Sequence, residues 1–194
     1  YLLVANYLSI IITAALVNNL VLVQLLGVSS LFYSTNHLQR SIEFALFNFI
    51  VLFLATAANL VLYQFLLAPL ELELLKLLCF VASSAIISMF LLKQIDRKYP
   101  LLQRQQQLAL FLTGGNSAIL GATIINTGSS LSIPEGLAYG FGAALGYSLL
   151  IIAFAALRLR LESADVPAPF QGPAIQLITA GIIAISLLGF AGLS

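Results

Sequence analysis

Residues 42–68, IEFALFNFIVLFLATAANLVLYQFLLA, run for 27 positions with one charged side chain, Glu43, next to their start. A helix rises about 1.5 Å per residue, and roughly 20 apolar residues suffice to cross the hydrocarbon of a bilayer. This stretch is long enough, and Asn48, Asn59 and Gln64 are far too few polar groups to make a water-facing side. Working outward, comparable runs occupy 2–27, 73–92, 108–126, 136–157 and 174–192. Turn-forming residues separate them: Ser34-Thr35-Asn36, Ala68-Pro69, Tyr99-Pro100, Ile133-Pro134 and Asp165-Val166-Pro167-Ala168-Pro169. Over all 194 residues, 61% are hydrophobic and 8% charged, against about 25% charged in ordinary soluble domains. The pattern predicts an all-α integral membrane protein with six transmembrane helices. The first run is too long, and its start lacks the basic region, for a removable signal peptide.

The cationic residues predict an orientation. Of the eight Lys and Arg residues, Arg40 falls in loop one, Lys93, Arg97, Lys98 and Arg104 in loop three, and Arg158 and Arg160 at the start of loop five, leaving Lys76 for loops two and four. Lys and Arg gather on the cytoplasmic side. Loops one, three and five are therefore expected in the cytoplasm, with both termini on the opposite, periplasmic face.

Six spans divide into two sets of three, 1–92 and 93–194, and an odd number per set inverts the second relative to the first. The first span of each set carries similar interruptions. Span one contains Asn18-Asn19 and, further on, Gly27-Val28-Ser29; span four contains Gly114-Gly115-Asn116-Ser117 and then Gly121. Broken helices at matching places point to a central site, and irregular backbone at that depth must be covered by protein or line a cavity. The alternative is that Gly and Ser permit close helix contact while Asn forms hydrogen bonds between helices.

Several chemistries are disfavoured. A net charge of +1 offers no field for nucleic acid. Cys79 stands alone, which excludes an internal disulfide or an all-cysteine metal site from this chain, and its Leu/Phe/Val surroundings predict a small buried apolar residue. No ionisable side chain lies deep within a span, contrary to a self-contained pump. Glu43, Glu71, Glu73 and Glu135 fall near span ends, where they are solvated, and His37 has no partner at metal-ligand spacing. Phosphate-loop, dinucleotide, hydrolase-elbow and zinc motifs are missing. The polar residues left within spans, Asn48, Asn59, Gln64, Ser83, Ser84, Ser88 and Asn126, are expected to bind neighbouring helices.

Particular strings carry more than composition. VNNLVLVQLLG (17–27), AYGFGAALGYSLLIIAFAALRLRL (138–161) and above all ADVPAPFQGPAIQLITAGI (164–182) resemble the RnfA/NqrE family of the Rnf electron transport complex and the sodium-translocating NADH:quinone reductase, with likeness over essentially the whole chain. The resemblance implies a six-helix subunit of the bacterial inner membrane, with both ends periplasmic. It implies pairing with an inverted homologue of the RnfE/NqrD kind, and company with subunits like RnfB, RnfC, RnfD and RnfG. It further implies an iron-sulfur cluster shared between the pair near mid-membrane, with NADH, flavins and ferredoxin reached only through other subunits.

At the family's two cysteine positions this chain carries Ser29, in GVSS, and Ser117, in GGNSA. Neutral hydroxyls are poor substitutes for thiolates as cluster ligands. Cys79 matches an apolar family position and does not replace them. The expected centre is therefore Ser29 and Ser117 lined by Asn18, Asn19, Gly114, Gly115 and Asn116, with no metal bound by this chain and no catalytic residue of its own. Natural divergence, deliberate replacement of the cysteines, or a centre displaced onto the partner chain would each produce such a pattern. A function of a different class is a small inverted-repeat transporter or channel for a neutral solute; a third is a pure assembly scaffold.

Overall fold

In a computed structural model of the chain, residues 2–28, 38–98, 116–129, 132–162 and 164–189 are described. All regular structure among them is helical. The helices are α1 (Leu2–Ile12), α2 (Leu38–Leu62), α3 (Lys76–Lys98), α4 (Ser117–Gly128), α5 (Ile133–Glu162) and α6 (Pro173–Leu188). Single π-helical turns, Thr13–Val17 and Tyr63–Leu67, continue α1 and α2. Three helical stretches, Ser41–Leu67, Glu73–Gln94 and Ile133–Leu161, are long and apolar enough to cross a membrane, and Asn6–Val17, Ser117–Gly128 and Ala174–Ser186 are shorter apolar helices.

The distribution of side chains is that of a helix bundle immersed in lipid. On α2 the buried positions include Ser41, Ala45, Asn48, Leu52, Ala55, Thr56 and Asn59, while Ile42, Leu46, Ile50, Leu54 and Val61 are exposed. A soluble helix would reverse this polarity. In hydrocarbon the apolar face needs no cover, so small and polar residues face the neighbouring helices. Among its described side chains α3 buries a narrow seam, Phe80, Ser84, Ser88 and Leu92, spaced one turn apart. Cys79 lies beside that seam and is partly buried.

The core is built on the long pairing of α2 with α5. Ala45, Val51, Leu52 and Ala55 meet Ala143, Ala144, Tyr147 and Ile151 there, joined by Ala118, Ile119 and Ala122 of α4. Phe141 is edge-on to Phe49 and Phe53, with centroids 5.4 and 5.9 Å apart. α1 crosses α5 at Gly142 and Gly146, where no side chain intervenes: a Cβ on Gly142 would lie 2.6 Å from the Ile11 carbonyl oxygen.

Several helix ends outrun the expected boundaries, whereas the first helix, with its π turn, stops at Val17 rather than 27. α3 runs to Lys98 rather than 92, α2 begins at Leu38 rather than 42, and α5 covers 133–162 rather than 136–157. Charged residues assigned to loops, such as Arg40, Lys93 and Arg158, thus sit on helical turns that outrun the apolar stretch. The start of α5 explains itself. Glu135 accepts hydrogen bonds from the backbone N–H (2.9 Å) and hydroxyl (2.6 Å) of Ser132, and Pro134 stands in the first turn, where its missing N–H costs nothing. Ser132→Ala is expected to lower stability by about 1 kcal/mol, read as a shift of the thermal unfolding midpoint in detergent.

Candidate functional site

Span one is broken, as its sequence suggests, and the break can be followed atom by atom. The π-helical turn closes with the Asn18 N–H donating to the Thr13 carbonyl at 2.7 Å. Asn19 then ends the helix: its Nδ2 donates to the Ala15 carbonyl (2.8 Å) and its Oδ1 accepts the Val21 N–H (3.0 Å). An asparagine that satisfies backbone groups on both sides of itself competes directly with the helical ladder. From there to Gly27 the chain is a series of turns, with Leu25 at φ +54° and Gly27 at φ +75°. A leucine in the left-handed region carries strain of roughly 1–3 kcal/mol, a cost that surrounding contacts must offset.

The second element of the site is the start of α4. Asn116 is extended (φ −73°, ψ 113°), buried at 3% exposure, and caps the helix by accepting the Ala118 N–H on Oδ1 at 3.0 Å. Its Nδ2 donates to the Tyr147 hydroxyl at 2.8 Å and reaches Asn48 Oδ1 at 3.4 Å. The Tyr147 hydroxyl in turn faces the Gly27 carbonyl at 3.4 Å, and the Gly27 N–H donates to Ser117 Oγ at 2.9 Å. The turn that ends span one and the start of α4 are therefore joined directly, 90 residues apart in sequence, with Tyr147 of α5 underneath. Only glycine fits at 27, because a Cβ there would lie 2.7 Å from Tyr147 Cε2 and 2.9 Å from both Ala118 Cβ and Asn116 Oδ1.

Below this junction a polar seam continues along the inner face of α4. Asn59 of α2 bonds Ser84 of α3 (3.2 Å) and Thr123 of α4 (3.3 Å), and Ser83 donates to Asn59 Oδ1. One turn further, Asn126 Nδ2 donates to the Gly136 carbonyl at 3.0 Å. Asn48, Asn59, Ser83, Ser84 and Asn126 thus do link helices as expected, while Ser88 returns its proton to the Ser84 carbonyl of its own helix.

Of the expected centre residues, the structure brings Ser117 and Asn116 into the junction. Asn19 shapes the break beside it, whereas Asn18 points outward and is exposed. Ser29, Gly114 and Gly115 lie outside the described residues. Sequence reasoning missed Tyr147, which is fully buried and holds both sides together. Its one signal was a hydroxyl among the small and apolar residues of GAALGYSLL. Among the described residues no three His, Cys, Asp or Glu side chains are grouped as metal ligands would be.

Comparison with known proteins follows the same chain from end to end. A family model described as "Rnf-Nqr subunit, membrane protein" matches residues 7–194. The chain is 40% identical over 188 residues to the A-type subunit of the ion-translocating oxidoreductase complex of Hahella chejuensis, covering 97% of each protein. It is 39% identical over 184 residues to the corresponding protein of Alkalilimnicola ehrlichii, covering 95% of each, and 38% identical over 188 residues to that of Actinobacillus pleuropneumoniae, covering 97% of each. Identity of this degree over nearly the full length of every relative admits one conclusion: the chain belongs to the Rnf-Nqr family of membrane subunits.

Proposed function

We propose that this protein is the A-type membrane subunit of an ion-translocating oxidoreductase complex of the Rnf/Nqr kind. The observation that carries the reading is the near end-to-end likeness to relatives bearing that name. On this reading the chain spans the bacterial inner membrane six times as two inverted sets of three, with both termini periplasmic. It pairs with an inverted homologue and works beside flavin-bearing subunits and the modules that handle NADH and ferredoxin. The meeting of Gly27 with Ser117 supports it, because the broken end of span one is joined there to the capped start of α4, one element from each set. Among the described residues no charged side chain takes part in that junction, and on this reading the chain's task is to position a partner and seal the centre. The neutral-solute transporter is not favoured.

The donor set at the junction does not fit an iron-sulfur cluster held by this chain. Ser117 offers a neutral hydroxyl in place of a soft thiolate, and its oxygen already accepts the Gly27 N–H. Cys79 belongs to α3, away from Ser117 in the sequence pattern and partly buried on its own helix. Our reading is a protein that keeps the scaffold and lacks the shared cofactor.

Two measurements test this. A tagged full chain purified from native membranes is expected to bring down an inverted homologue and flavin-bearing subunits; recovery as a homodimer that moves a neutral solute into liposomes overturns the assignment. For the centre, the chain and its homologue purified together should hold little iron by metal analysis and paramagnetic resonance. Ser29→Cys combined with Ser117→Cys should raise bound iron several-fold, and equal iron in both preparations would refute the view that these serines emptied the site.

A further inference from the structure

Among the described residues, the densest run of exposed apolar side chains lies where α2 turns into α3. Phe65, Leu66, Leu70 and Leu74 are 69%, 51%, 57% and 98% exposed, and Leu72 and Leu75 are exposed as well. A patch of this extent marks a surface that something other than water covers. The backbone of the turn is built to do without much water. The N–H groups of Ala68, Glu71, Leu72 and Leu75 donate to the carbonyls of Tyr63, Ala68, Leu67 and Leu72 at 2.8–3.2 Å, and Pro69 has no N–H to satisfy. Irregular backbone that meets its own hydrogen-bonding needs can lie at the edge of the hydrocarbon, where an open loop cannot.

The charges of α3 fix the depth of this turn. Lys76 and Lys93 bracket an uncharged stretch, residues 77–92, which sets their Cα atoms about 25 Å apart along the helix. A hydrocarbon core of about 30 Å places both lysines at its edges, with their side chains snorkelling outward. The Lys76 ammonium lies 4.7 Å from the centroid of the Tyr63 ring and 5.9 Å from that of Phe80, and tyrosine is a residue that bilayer interfaces collect. Leu74 stands two residues before Lys76, and the apolar patch continues into Leu77, Leu78 and Val81 on the lipid-facing side of α3. We propose that this turn, residues 65–75, is a wedge seated in the lipid interface, with its leucines among the acyl chains nearest the headgroups and Glu71 and Glu73 against ammonium-bearing headgroups. Among the described residues neither carboxylate has a hydrogen-bond or ion-pair partner. Like charge keeps both from anionic headgroups, whereas a primary ammonium offers each of them a charge and a donor.

The chain contains no tryptophan, so Leu74→Trp and Leu70→Trp each install a single reporter at an exposed position. The full chain is placed in nanodiscs of phosphatidylcholine brominated either near the headgroup or near the chain end. Both reporters should emit at short wavelength and lose roughly half their fluorescence to the shallow bromine and less to the deep one, as interfacial side chains do. Ile182→Trp, on the exposed face of α6, should show the reverse order. Water-like, unquenched emission from Leu74→Trp overturns the proposal, because the turn then stands in water. Short-wavelength emission that neither bromine quenches overturns it too, since protein then covers the leucines, and so does quenching that disappears in the purified complex. Competition reads the headgroup. Unbrominated phosphatidylethanolamine should relieve the quenching of Leu74→Trp severalfold more effectively than phosphatidylglycerol, and Glu71→Gln combined with Glu73→Gln should remove the difference. Equal relief by the two lipids before that substitution overturns the headgroup assignment. The readout is the seat of this chain in the bilayer, so failure here leaves complex membership to the co-purification test.

Discussion

Gly146→Ala should cost the protein about 3 kcal/mol, the upper end of what overpacking one methyl group does. The new Cβ would run into the carbonyl oxygen of Ala15 and lie 2.7 Å from its Cα and 2.9 Å from its carbonyl carbon. These are backbone atoms, which no rotamer change can move aside. One turn earlier, a Cβ on Gly142 would meet the Ile11 carbonyl oxygen at 2.6 Å and its Cα at 2.9 Å. The pair is a small-xxx-small contact in which α1 rests directly on α5, and without a hydrophobic drive between helices in lipid such close packing is a main source of association. The double variant should therefore separate α1 from α5, with a loss of about 5 kcal/mol or less, since adjacent sites are not additive. Gly181→Ala is the control. Nothing lies within 4 Å of its added methyl, and alanine favours the helix by about 0.5–1 kcal/mol. Thermal unfolding in one detergent should thus rank Gly181→Ala at or above the parent and Gly146→Ala well below it. Equal midpoints for the two would mean that α1 does not cross α5 here.

The membrane character was legible because hydrocarbon demands it: long apolar runs such as 42–68 have no other stable use. Helix ends were less legible, since a helix does not stop where the apolar stretch does. Lys93 and Arg97 continue α3 beyond Leu92, and Arg158 and Arg160 continue α5. The break in span one was announced by Asn19 and Gly27, residues whose side-chain chemistry or missing side chain acts locally. Tyr147 was not announced, because its role depends on Asn116 and Gly27, 31 and 120 residues away. In a row of apolar residues a tyrosine reads as core, and here it is core as well as junction. Asn126 was half legible. Its bond to the Gly136 carbonyl is the interhelical contact that a buried asparagine predicts, but that its Oδ1 would be enclosed without a hydrogen-bond partner depends on the helices packed around it. The apolar neighbours of Cys79, Leu78 and Phe80, could not fix its degree of burial, which is intermediate. In lipid they say nothing about burial: Phe80 is buried and Leu78 exposed.

Gly27→Ala is the substitution that addresses the junction itself, and its effect separates into two parts. The left-handed φ of +75° penalises any Cβ, by about 1 kcal/mol. The contacts at 2.7–2.9 Å with Tyr147, Ala118 and Asn116 add an overpacking term of about 1–3 kcal/mol. Gly172 supplies the reference, because its φ is +76° and nothing lies within 4 Å of its added methyl. Gly172→Ala therefore carries the conformational part alone. The difference between the two variants measures how tightly the turn, α4 and α5 close on one another. Adding Tyr147→Phe gives a second reading. In the parent, loss of the hydroxyl should cost about 1 kcal/mol, since Asn116 Nδ2 loses its 2.8 Å acceptor. In the Gly27→Ala background that cost should shrink, because a methyl group wedged against the ring has already parted the same three residues. Additive costs would mean that Gly27 and Tyr147 do not share one junction. If the proposed assembly engages the exposed Ser117 beside this junction, it should follow the same order, lost in Gly27→Ala and kept in Gly172→Ala.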